Sequence, residues 1–147
     1  MWIAEPVTAG TDYLLATVAL VLGAVRLRPP RTTRRWLWGL GLLAAAVAAG
    51  TGGTFHGFST LESPAVHSFL WCAVLPLIGA AAGFMAAAAV ATPWHDHDWP
   101  HLLAGIVISA LAVTLQHTGL ALGPVDHNAL FHLLEAAALW FFFRAAA

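Results

Sequence analysis

His56, His67, His117, His127 and His132, with Asp12 and Glu135, are the residues of this 147-residue chain best suited to do chemistry. Each sits in or at the edge of a long apolar run, where an ionisable side chain is costly and is by default a functional-site candidate. Neutral imidazole is the usual protein ligand for zinc, iron and copper. Three protein ligands and one open position make a catalytic zinc. Inside a hydrocarbon layer such a site must be assembled from several helices, because no lipid-exposed loop can reach it.

Spacing restricts which of these residues can cooperate. His127 and His132 are five apart, about 140° on a regular helix, so they share one ion only if the first turn of their helix is distorted, for instance by a π-bulge. His132 and Glu135 are about 60° apart and share a face, as do Asn128 and His132. His132 and His117 should lie roughly 8 to 10 Å below the outer helix ends at 1.5 Å per residue.

The elements that must position these groups are read from the apolar runs at residues 8–25, 36–55, 67–91, 102–122 and 126–143. Each is close to the roughly 20 residues needed to cross a hydrocarbon core. The whole chain, 1–147, reads as one transmembrane domain, an all-α five-helix bundle. Composition agrees: 60% apolar and 9% charged residues cannot cover a soluble surface. Arg28-Pro29-Pro30-Arg31 cannot continue a helix and makes a tight turn. Thr92-Pro93 and Trp99-Pro100 bracket a second loop on the same side, while Ser63-Pro64 and Gly123-Pro124 mark the opposite side. All cationic side chains are Arg, and all fall on one side of these spans. The positive-inside rule then orients the chain N-out and C-in.

Several residues have a purely structural explanation. Asp126 suits the N-cap of the last span, and His67 and His127 suit the membrane interface. Gly39, Gly41 and the Ala/Gly-rich stretch from Gly79 to Ala89 let helices approach closely. The inner His95-Asp96-His97-Asp98 tract lies in a proline-bracketed loop and reads as solvated. A lone Cys72 excludes an internal disulfide. Met1 to Pro6 has no basic segment, so the first span is not expected to be a cleaved signal. Nucleic acid is excluded as a partner by the near-neutral charge, −1, and the confinement of Arg to the inner side.

His127-Asn-Ala-Leu-Phe-His132 resembles the last-helix signature of the alkaline ceramidase and adiponectin-receptor superfamily. His56-Gly57-Phe58, after a Thr/Gly-rich turn, is similar to its earlier His-bearing helix. The resemblance implies zinc on His56, His127 and His132, a metal-bound water, and hydrolysis of an amide bond in a membrane lipid. That superfamily has seven spans, spaces its last two His four apart, and carries a Ser near the first His and an Asp on the helix after it. Here Ser59, Thr54 or Thr51 would stand in for its Ser, and Asp12 or Glu135 for its Asp.

The expectation is therefore a zinc-dependent membrane hydrolase acting on a lipid or small-molecule substrate from the outer leaflet. Asp12, Glu135 and His117 are its catalytic candidates, with His67, Asn128, Thr54 and Ser59 around the metal or the substrate. The alternatives are a haem b electron carrier, with axial pairs such as His56 and His117 or His67 and His132, and a proton-relay or transport subunit. The Lys-free, Ala/Gly/Arg-rich composition points to a bacterial cytoplasmic membrane.

Overall fold

The computed structural model describes residues 3–30, 32–61, 63–91 and 93–146. Met1, Trp2, Arg31 and Thr92, which entered the reading above, lie outside the described residues. Five helices run through the rest: α1 (Pro6–Arg26), α2 (Thr33–Phe58), α3 (Pro64–Val90), α4 (Trp99–Thr118) and α5 (His127–Ala145).

Their ends follow from local chemistry. Pro6 and Pro64 occupy first-turn positions, where the missing N–H costs nothing. Thr32, Ser63 and Asp126 cap α2, α3 and α5 by accepting from the backbone N–H of Arg35, Val66 and Ala129. The fourth helix stops at Thr118, four residues before the expected end at Leu122, because Gly119 turns left-handed at φ 67°. Leu122 and Val125 then pair across a turn whose Gly123 also has a positive φ. Thr51-Gly52-Gly53-Thr54, expected as a turn, lies within α2.

Helices α1 to α4 are long and apolar enough to cross a membrane. The fifth, with 19 residues, is interrupted by Asn128, His132 and Glu135 and does not reach that standard. Packing compensates for its polarity, since α5 is sheltered between α1 and α4. In space the helices follow the order α3, α2, α1, α5, α4, and α3 and α4 hardly touch each other. The bundle is thus an arc with an open side.

Small residues hold the arc together. A Cβ on Gly23 would meet the Gly39 carbonyl at 3.2 Å, and one on Gly41 the Ala81 carbonyl at 3.2 Å, so α1–α2 and α2–α3 approach almost backbone to backbone. Ala19, Leu22, Leu42, Ala46 and Leu139 form the central core where α1, α2 and α5 meet. Large apolar side chains such as Val47, Phe69 and Val107 stay exposed, as a lipid-facing surface would have them.

Candidate functional site

Asp12 and His132 are both buried and meet across α1 and α5, Oδ1 to Nε2, at 3.1 Å. The other ring nitrogen of His132, Nδ1, lies 3.3 Å from Thr11 Oγ1. Thr11 donates its hydroxyl proton to the Thr8 carbonyl at 2.9 Å, which fixes the hydroxyl. The register that creates this meeting is set one turn nearer the starts of α1 and α5. There Thr8 donates to Asp126 Oδ2 at 2.7 Å while Asp126 Oδ1 accepts the Ala129 N–H, also at 2.7 Å. One carboxylate therefore both caps α5 and ties it to α1.

Room for Asp12 comes from α2. A Cβ on Gly52 would sit 3.2 Å from Asp12 Oδ1, and one on Gly53 would sit 3.1 Å from Asp12 Cβ. Only glycines let the carboxyl lie this close to the α2 backbone. Its second oxygen, Oδ2, is buried with no hydrogen-bond partner, which makes it a strong unused acceptor.

Asp12 and His132 line a groove of about 480 Å³ on the open side of the arc. His56, Gln116, Asn128 and Glu135 are its other polar residues, and the remainder of its wall is mainly apolar. His56 is held by Glu5, Nδ1 to Oε2, at 2.9 Å. Glu135 accepts from the Ser109 hydroxyl at 3.2 Å, and Gln116 donates to Asn128 at 3.1 Å, so both pairs cross from α4 to α5.

Other expected site residues lie elsewhere. His127 is half-buried at the start of a regular α5, on a different side of the helix from His132, and does not line the groove. The distortion that would have let the two share an ion is absent. His117 is exposed beyond the groove. Thr54 donates to the Gly50 carbonyl and contacts Tyr13, and Ser59 merely follows the end of α2. His67 stacks on Phe55, with centroids 4.2 Å apart, in a more open recess beyond Phe55 and Trp71.

The loop between α3 and α4 is held by its own contacts. Asp98 accepts the His95 N–H at 3.0 Å and contacts His97 Nε2 at 3.3 Å, while the two imidazoles stack in parallel. The His95 amide, with the charges of His97, His95 and Arg34 behind it, outweighs burial and holds the Asp98 carboxyl below the usual range.

The zinc set expected from the sequence is not assembled. Among the described residues, no three His, Cys, Asp or Glu side chains are gathered in a metal-binding arrangement. His132 has both nitrogens engaged, so it has no free donor for a metal in this arrangement. Of the residues named for axial pairs, His56 and His132 line the groove and His117 and His67 do not.

Thr8, Thr11 and Glu5 were not singled out from the sequence. A signal existed: Glu5, at the N-cap of α1, and Thr8 and Asp12 within it recur at helical spacing and mark one polar stripe. Ser109 and Gln116 were not singled out either, although they lie seven apart and share a face of α4.

Fold and site together define a class: an all-helical bundle of apolar helices with a buried carboxylate–imidazole pair on an open, mainly apolar groove. The chain belongs to the family described as "Family of unknown function (DUF6962)", which matches residues 7–102. That match contains Asp12, Gly52, Gly53 and His56 but ends before His132. No curated protein and no solved structure matches the chain.

Proposed function

We propose that this chain is an integral membrane protein of five spans, N-terminus out and C-terminus in, that carries out acid–base hydrolysis of a lipid or other membrane-dissolved substrate. The topology rests on Arg26, Arg34, Arg35 and Arg144, which fall where α1 and α5 end and α2 begins. Shelter between α1 and α4 lets α5 cross despite its polar residues.

One observation carries the chemistry: the 3.1 Å contact between buried Asp12 and His132 on the wall of the groove. Asp12 holds His132 through Oδ1, and this buried pair would take the proton of an attacking water. Thr11 steadies the imidazole from its other side. Glu135, held by Ser109, offers a second carboxyl on the same groove, from which a leaving group could take a proton. Two carboxyl groups in different surroundings can thus divide the roles of base and acid.

A zinc-dependent version is the second reading, favoured by Asp12, His56, His132 and Glu135 all lining one groove. A metal would have to replace Asp12 or Thr11 on His132 to gain a nitrogen.

Both versions are tested by reconstituting the protein in bilayers of bacterial lipid extract and following the lipid inventory by mass spectrometry. Wild type should convert one lipid class. Asp12→Asn should lower that rate by roughly 10²- to 10⁴-fold, the worth of a positioned acid or base. An inventory identical for wild type, Asp12→Asn and His132→Gln would overturn the hydrolytic reading. Stoichiometric zinc in wild type, lost in His132→Gln, would move the assignment to the metal-dependent version.

A further inference from the structure

We infer that Thr11 fixes the tautomer of His132 with its hydrogen on Nδ1, and thereby makes Asp12 a neutral carboxyl that donates its own proton to His132 Nε2. The inference rests on the acid–base reading of this pair and adds which proton the pair already carries and which residue sets it.

A hydroxyl has one proton to give, and a carbonyl only accepts. Thr11 gives that proton to the Thr8 carbonyl at 2.9 Å. Toward His132 Nδ1, 3.3 Å away, the Thr11 oxygen can therefore offer only a lone pair, so Nδ1 bears the hydrogen and donates it. The Thr8 carbonyl acts on the imidazole in the same sense. Thr11 and Asp12 are consecutive residues of α1, so one short stretch of backbone grips the ring at both of its nitrogens.

The state of Nε2 then follows. A neutral imidazole with its hydrogen on Nδ1 carries a lone pair on Nε2. That lone pair faces Asp12 Oδ1 at 3.1 Å, a hydrogen-bond distance that two acceptors keep only with a proton between them. The proton has two places: on nitrogen, giving an imidazolium beside a carboxylate, or on oxygen, giving two neutral groups. Burial selects the neutral form. Asp12 and His132 are 3% and 8% exposed, and the second oxygen of Asp12 has no hydrogen-bond partner. A carboxylate there would leave part of its charge unpaired away from water, which is strongly disfavoured.

The charged groups facing the pair come from three elements. Glu5, just before α1, opposes a negative charge on Asp12. His56 of α2 opposes a positive charge on His132, and Asp126 at the start of α5 supports one. Glu135, one turn further along α5, is engaged by Ser109 of α4. At rest the pair thus holds one shared proton and no net charge, which suits a site among apolar helices. When it takes a further proton, as the hydrolytic reading requires, His132 becomes an imidazolium and Asp12 stays neutral. Asp126 meets the new charge while Nδ1–H remains on Thr11.

The test uses the full chain in phosphatidylcholine nanodiscs at neutral pH without substrate. NMR of isotope-labelled histidine reads the two ring nitrogens of His132, identified by the signal that His132→Gln removes. Nδ1 should be protonated and Nε2 unprotonated. The infrared spectrum should contain a protonated-carboxyl band that disappears in Asp12→Asn, a variant that keeps a donor for Nε2. Thr11→Val should lower the ratio of the Nδ1–H to the Nε2–H form by roughly two- to tenfold, the worth of one neutral hydrogen bond, whereas Thr11→Ser should keep it.

A hydrogen on Nε2 alone, or on both nitrogens, would overturn the assignment, as would the absence of a carboxyl band sensitive to Asp12→Asn. An unchanged ratio in Thr11→Val, or an equal change in Thr11→Ser, would overturn the role of Thr11. The wild-type nitrogen signals decide the tautomer even if the Thr11 variants fail to fold. None of these readings needs turnover, so they are separable from the hydrolytic reading: the stated proton positions with an unchanged lipid inventory remove the chemistry and keep the assignment. A converted lipid with the hydrogen on Nε2 does the reverse.

Discussion

Asp126 caps α5 through the Ala129 N–H and receives the Thr8 hydroxyl, so one side chain sets both the start of a helix and its register on its neighbour. Burial opposes its charge. The N–H of Ala129, the Thr8 hydroxyl and the nearby His127 outweigh that and hold its carboxyl below the ordinary range. A depressed carboxyl contributes stability that is present above its unfolded value of about 3.9 and is lost as pH falls through its folded one. Asp126→Ala should therefore cost about 1 kcal/mol at pH 7, the usual worth of an N-cap. The gap to wild type should narrow below about pH 3. Thermal unfolding in detergent at the two pH values measures both; a gap that stays constant on acidification would show that the charged form is not the stabilised one.

Between elements, contact is governed by where a side chain is missing. A Cβ on Gly105 would meet the Phe142 ring at 2.6 Å, so α4 lies against α5 only because position 105 has none. Phe142 also lines the groove, which links this packing to the site. Gly105→Val should push the ring aside and cost about 1 to 3 kcal/mol, the range for overpacking. Gly79 is the contrast. A Cβ there meets nothing within 4 Å, and Gly79→Ala in the middle of α3 should leave stability unchanged or raise it by up to about 1 kcal/mol. Parallel melting curves of the two variants decide the matter. Equal destabilisation would mean that close approach at Gly105 is not what joins α4 to α5.

At the scale of the molecule, the arc of five helices places Arg26, Arg34, Arg35 and Arg144 at one end, together with the His95–Asp98 loop, and Glu5, His56 and Asp126 at the other. The contact of Arg26 with the Phe143 carbonyl joins the final turns of α1 and α5, bringing cationic residues of distant parts of the chain to one level. If that level is cytoplasmic, a phosphatase reporter fused after Arg144, active only outside the cytoplasm, should be silent, and a cytoplasmic fluorescent reporter at the same point should work. The opposite pattern would invert the protein and turn the groove's polar end toward the cytoplasm.

The sequence by itself determined the five helices, the arginine-bearing end, the capping role of Asp126 and the candidacy of Asp12, His56, His132 and Glu135. Apolar runs, prolines and capping residues act within a few positions of one another, so they can be read along the chain. What only the tertiary structure decided was partnership. Within α5, spacing pointed from His132 to Glu135, yet His132 pairs with Asp12 of α1, and Glu135 pairs with Ser109 of α4. Helical periodicity states which residues share a face but not how one helix is rotated or shifted against the next. That rotation follows from contacts remote in sequence: Thr8 on Asp126, and Asp12 against the backbone of Gly52 and Gly53. The same limit explains why Thr51 to Thr54 looked like a turn. Its glycines are there to admit a carboxylate from another helix, and nothing within α2 alone records that neighbour.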